Sequence, residues 1–499
     1  MIKNVNKKLV ALAMVSILSI GALIGCAVWL LKPKEVCVTK DFNTITINAR
    51  YNHTARQVSA TQSIEYMNRS NQAKKEIKFH IYANAYQEGV KNPPIASDEI
   101  TRAYPNGKSF GGITIHNTSV DGTEITHTID GEDDTVLIVP LATPLQPNQS
   151  VVVNMNWTVQ LANIKHRLGW TVDAVNLANF YPIPVVFQNG KWYTFPYSSN
   201  GDPFFNEMHN YRVNIEAPTS MTIASSGELV DGVFKTHKPI RDFAMVLSNN
   251  FKVVEKTVNR INVKYYYLED NDPMASLEIS AKSVNTFSRL FAKYPYRQLS
   301  VVQTDFLHGG MEYGKLVYVS RDFLSNGNND RENHNYVIVH EVAHQWWYGT
   351  VGNNQSSTAW IDEGLAEYST MLFFEEHPEY NVCRVVAVQN ARDNYSAYIR
   401  LVRGLGETPD TNMNRDLSLF SSSFEYVFMA YVRGLLLFVD LETVISRDKL
   451  ISALRNYSHQ MMFGIACQTS LIETIERTTN MRVGLFFQTY LVGWDGFQR

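Results

Sequence analysis

His340 and His344 stand four residues apart in RENHNYVIVHEVAHQWWYG (331–349), a run without proline whose apolar residues recur at helical spacing. On a helix, side chains at i and i+4 leave the same face one turn apart, so both imidazoles can reach one ion. Zinc takes nitrogen donors at about 2.0–2.1 Å. Glu341 follows the first histidine, where its carboxylate can approach a metal-activated water without binding the metal. An amphipathic helix with ordinary surface histidines would carry the same five residues, so the pattern needs a third donor. Glu363 offers one, with 18 residues between it and His344, inside a second helical stretch (358–377) stopped by Pro378. The link at 349–357 is rich in turn residues and lets the two helices fold back on each other. Two histidines and one glutamate leave a fourth coordination position for water, as in catalytic rather than structural zinc sites.

The elements that must hold these residues change character along the chain. From about residue 44 to 254 the pattern has period two. Val151, Val153, Met155, Trp157, Val159 and Leu161 alternate with Val152, Asn154, Asn156, Thr158 and Gln160, and Tyr211 to Ala217 repeats the rule. That spacing predicts antiparallel sheet with one wet face. After a strand at 261–267, Asp272-Pro273 starts a helix, and helical spacing takes over. The 499 residues, 45% of them hydrophobic, exclude wholesale disorder and predict more than one domain. A net charge of -3, from 45 basic and 48 acidic residues, argues against a nucleic-acid partner. Four cysteines without a CxxC cannot build a disulfide scaffold.

The N-terminus predicts a membrane partner. Lys3, Lys7 and Lys8 precede an uncharged, mostly apolar stretch at 9–31, long enough to cross a lipid bilayer as a helix. The lysines place residues 1–8 in the cytoplasm and the body outside it, anchored to the cell membrane. A lipoprotein signal ending at Cys26 and a cleaved signal peptide are competing readings that export the same body.

HEVAHQWW, the 18-residue gap and WIDEGLAEY resemble the aminopeptidase N and leukotriene hydrolase family of zinc peptidases, the gluzincins. Gly309-Gly310-Met311-Glu312-Tyr313 is similar to that family's GxMEN exopeptidase motif, with Tyr in place of Asn. Segments 201–218, 241–244 and 293–299 resemble the family as well. The resemblance implies a multi-domain α+β protein: a saddle-like antiparallel β domain at 32–255 and a thermolysin-like, mostly helical zinc peptidase domain at 256–499. It implies one Zn2+ per chain on His340, His344 and Glu363, with Glu341 as general base. Tyr431, in a Tyr-x-Arg-Gly segment where the family has Tyr-x-Lys-Gly, is implied as the hydroxyl that stabilises the transition state. Tyr426 matches a second tyrosine of some relatives. Glu312 is implied to bind the free α-amine of a peptide, beside the backbone-pairing Gly309, Gly310 and Met311. The resemblance also implies a second amine-binding Glu or Gln nine residues before a proline, and counting back from Pro182 gives Asp173, a shorter acid, as its candidate. The implied activity is removal of N-terminal residues from peptides; a metallo-endopeptidase and a catalytically lapsed peptide-binding relative are the alternatives.

Overall fold

The computed structural model describes residues 42–325 and 327–493. The predicted membrane segment at 9–31, with Cys26, lies outside them. Among the described residues no helix is long and apolar enough to cross a membrane.

The first part is β-rich. Its largest sheet has eight strands, in the spatial order Glu228–Val230, Val233–Lys235, His209–Glu216, Asn43–Asn52, Gln57–Met67, Ser150–Gln160, Gly112–Val120 and Thr123–Ile125. The alternation at 151–161 becomes the strand Ser150–Gln160: Val153, Met155, Trp157 and Val159 are buried, while Asn156 and Gln160 are exposed. The pairing of Asn43–Asn52 with His209–Glu216 is parallel, so this sheet is mixed where period two alone predicted antiparallel. A register defined by side-chain alternation fixes which face is buried and says nothing of strand direction.

A second correction concerns where strands stop. Lys252–Val258 and Ile261–Tyr267 belong to a five-stranded sheet continued by Gln298–Thr304, Leu316–Ser320 and, at its edge, Gly310–Met311. Six of the seven residues in Gln298–Thr304 and all five in Leu316–Ser320 are buried. A strand covered on both faces shows no alternation, so period two cannot reveal it.

The helix Pro273–Leu290 starts as expected, with the Asp272 carboxylate accepting from the Ala275 amide at 3.2 Å and Pro273 in the first turn. Two further helices, Arg331–Ala343 and Trp360–Glu376, pack against each other under the five-stranded sheet's edge. Asp330 caps the first, its side chain accepting from the Asn333 amide. The fold is thus a β-rich N-terminal part followed by a helical part that carries its own sheet.

Candidate active site

The first helix ends at the residues that matter. Ala343 is its last member, and His344 still has helical torsions as its C-cap. The chain then turns back, with the Gly349 amide donating to the His344 carbonyl at 2.9 Å. His340 and His344 project to one side, and the second helix lays Glu363 across them. Nε2 of His344 lies 3.0 Å from Nε2 of His340 and 3.2 Å from Oε2 of Glu363, and His340 Nε2 lies 3.3 Å from the same oxygen. Three donors about 2.0–2.1 Å from a tetrahedral ion sit about 3.3 Å from one another. The triad therefore fits a zinc-sized ion, and all three residues are buried. Burial alone would keep Glu363 protonated, but His344 and His340 pull its carboxyl down to about 2.

Glu341 stands beside the triad without joining it. Its Oε2 is buried and has no hydrogen-bond partner, so one carboxylate oxygen is left to act on a small molecule at the site. Burial, opposed by His340 and His344, pushes its carboxyl up to about 7. Gly310 makes room for it: a β-carbon there would collide with the Glu341 carboxylate. A second close approach sets the far wall. A β-carbon on Gly364 would lie 3.0 Å from the Gly434 backbone, so the helices Trp360–Glu376 and Arg433–Ile445 touch through glycine. That contact brings in Tyr431, from a widened π-helical turn at Phe428–Val432. Its hydroxyl donates to Glu363 Oε1 at 2.7 Å, and its ring stacks on His340. Tyr426 comes within 3.5 Å of the same oxygen. Arg433 faces away, its guanidinium donating to the carbonyls of Thr411 and Tyr490, so this departure from the Tyr-x-Lys-Gly pattern braces the helix and leaves Tyr431 in place.

Glu312 approaches from the sheet. Gly310–Met311 is the edge strand, paired on one side with Leu316–Ser320. The Glu312 side chain is buried, and Oε1 accepts from Gln355 Nε2 at 2.8 Å. Gln355 also donates to Asp362 at 2.7 Å. Burial, then the charge of Asp202, raises the Glu312 carboxyl well above its usual range. Asp202 is itself paired with buried Arg167, whose Nε lies 3.2 Å from the Met311 sulfur.

Asp173 is not brought to this group. Its two carboxylate oxygens accept from Asn250 at 2.8 Å and from Arg321 at 2.6 Å. The β-part acid whose charge acts on Glu312 is Asp202, a residue that counting back from a proline could not find. Glu367 was missed too, although its place four residues after Glu363 on one helix face was a readable signal. Arg167 and the contact of Gln355 with Glu312 carried no local signal, because these pairs are 35 and 43 residues apart in the chain.

Residues 275–490 match the Peptidase family M1 domain. The second part of the chain is thus similar to peptidase family M1. Aminopeptidase M1-D of Oryza sativa subsp. japonica is 25% identical over 193 residues, covering 34% of this chain and 22% of that protein. Aminopeptidase N of Lactobacillus helveticus is 22% identical over 229 residues, covering 43% and 26%. The chain thus spans about a quarter of the length of those relatives. The M1 zinc metallopeptidase of Deinococcus radiodurans has a similar fold, with a TM-score of 0.60 at 13% identity, covering 90% of this chain and 92% of that one. A mutant of it bound to a Tyr-Ser-Ala substrate gives 0.61 at 12% identity, covering 92% and 95%. That likeness of fold extends over both the β-rich part and the helical part.

Proposed function

We propose that the protein is a zinc-dependent aminopeptidase that removes N-terminal residues from peptides. The observation that carries this reading is the juxtaposition of the buried His340–His344–Glu363 triad with a buried glutamate, Glu312, at the end of an edge strand. A zinc ion on the triad supplies Lewis acidity, polarising a carbonyl and lowering the pKa of a water to about 7.

The chain's own groups do the rest. The open edge of Gly310–Met311 pairs with an extended peptide and fixes its register. Glu312 then meets the peptide's α-ammonium, and the cation favours the ionised carboxylate that burial alone disfavours. Glu341 takes the proton of the attacking water and passes it to the leaving amine. The Tyr431 hydroxyl, which donates to Glu363 in the free protein, turns its donation to the oxyanion that forms at the scissile carbonyl. The Tyr-Ser-Ala substrate of the Deinococcus neighbour supports a peptide as the occupant of this cleft.

The test pairs two substrates on wild-type protein: a peptide with a free N-terminus and its N-acetylated form, each with and without a zinc chelator. The reading predicts turnover of the free peptide alone, abolished by chelation and restored by Zn2+. Equal cleavage of both peptides would make the protein an endopeptidase, and zinc binding without turnover of either would make it a peptide-binding relative.

A further inference from the structure

A histidine that gives Nε2 to a metal keeps its proton on Nδ1, and that N–H requires an acceptor when buried. The two histidines of the triad meet this need differently. His344 ends its helix, so Nδ1 reaches the carbonyl of Trp347, three residues on, at 3.1 Å. His340 lies inside the helix, where the nearby carbonyls are taken by backbone amides four residues on. Its acceptor has to come from another element. Nδ1 of His340 lies 2.9 Å from Oε1 of Glu367, one turn beyond Glu363 on the neighbouring helix. The other oxygen of Glu367 accepts from the hydroxyl of Tyr336, four residues before His340 on the first helix. The Tyr336 ring is stacked on Phe374 at 5.8 Å. On its face, the His340 ring is covered by Tyr431, with centroids 5.7 Å apart. The ring thus has a carboxylate 2.9 Å from Nδ1, in ion-pair contact that is not aligned as a hydrogen bond without the metal, and an aromatic on its face.

We propose that Glu367, itself held by Tyr336, is a positioning residue for the metal: it fixes the orientation of His340 and strengthens it as a donor. This inference rests on the zinc reading above. Glu367 is not a fourth donor, since its carboxylate faces Nδ1 while the triad converges on Nε2. The carboxylate behind His340, against a carbonyl behind His344, makes His340 the more strongly supported ligand.

The experiment measures zinc affinity against a competing chelator, the rate of zinc loss to excess chelator, and the melting temperature of the metal-free protein. Glu367→Ala is expected to weaken zinc binding by about 10- to 100-fold and to speed its loss, with little change in metal-free melting. Glu367→Gln keeps an acceptor oxygen and loses the charge, so it should fall between Glu367→Ala and wild type. Tyr336→Phe should show a smaller loss in the same direction. Glu312→Ala, which removes a carboxylate from the amine side, should leave zinc affinity unchanged. If Glu367→Ala does not fold, the Gln and Phe variants carry the same test. Unchanged affinity and release rate in the variants overturn the inference, and so does a drop in metal-free melting with zinc affinity intact, since Glu367 would then only brace the helices. Wild-type protein that binds no zinc overturns the functional reading instead.

Discussion

The metal side of the site and the side proposed to bind the amine are built by different rules. On the metal side, Tyr336, His340, Glu341, His344, Glu363 and Glu367 come from two adjacent helices and the cap of the first, and no spacing between successive members within either exceeds four residues. On the amine side, Glu312 comes from an edge strand, Gln355 from the link between the helices, and Asp202 and Arg167 from the β-rich part more than 100 residues earlier. The first side is a local device that needs one packing contact to complete it. The second is assembled by the whole fold, so damage to distant packing should reach it first.

Substitutions on the two sides can sharpen or break that contrast. The largest effect is expected at Glu341→Gln, which should retain zinc and lose about 10²–10⁴-fold in kcat, the usual weight of a positioned general base. Zinc measured alongside turnover decides the matter: if the metal falls in proportion to activity, Glu341 is holding the ion. Asp202→Ala comes next, as a stability effect. It strands the Arg167 guanidinium, whose side chain is only 6% exposed, and should cost about 3–5 kcal/mol in denaturant unfolding. A cost under about 1 kcal/mol would mean that water or another group reaches Arg167, and that the surroundings of Glu312 depend little on distant packing.

Glu312→Ala should lower kcat/KM on free-amine peptides by roughly 10- to 200-fold, the worth of one charge-assisted hydrogen bond of about 1.5–3 kcal/mol. The variant should lose much of the preference for free-amine over N-acetylated peptides, and a preference as large as that of wild type would remove the amine from the account. The smallest effect belongs to Asp173→Ala. Its ion pair with Arg321 is partly exposed, with the side chains 28% and 18% accessible, and should contribute no more than about 1 kcal/mol. Activity on free-amine peptides should stay near wild type; a loss comparable to that at Glu312 would restore Asp173 to the amine site.

Much of the metal side was legible in the chain itself, because an α-helix converts sequence spacing into geometry almost without outside help. His340 and His344 need only their helix to face one way, and the same period that relates them also relates Glu363 to Glu367. The helix start at Asp272-Pro273 and the alternating strand at 150–160 were readable for the same reason: both signals are local. The buried strands Gln298–Thr304 and Leu316–Ser320 were not readable, since a strand covered on both faces has no polar side to mark its period. Asp173 and Asp202 make the point at a single position. Both are acids in the β-rich part, and no rule of spacing separates them. Only the packing of Arg321 against one and Arg167 beside the other decides which charge acts on Glu312. The sequence by itself determined the donor set, the residue beside it and the helices that present them, because these depend on backbone periodicity over a few turns. The tertiary structure alone decided the groups around Glu312, the seating of Tyr431 through the Gly364–Gly434 contact, and the carboxylate behind His340, because each depends on which distant surface a buried group must meet to be satisfied.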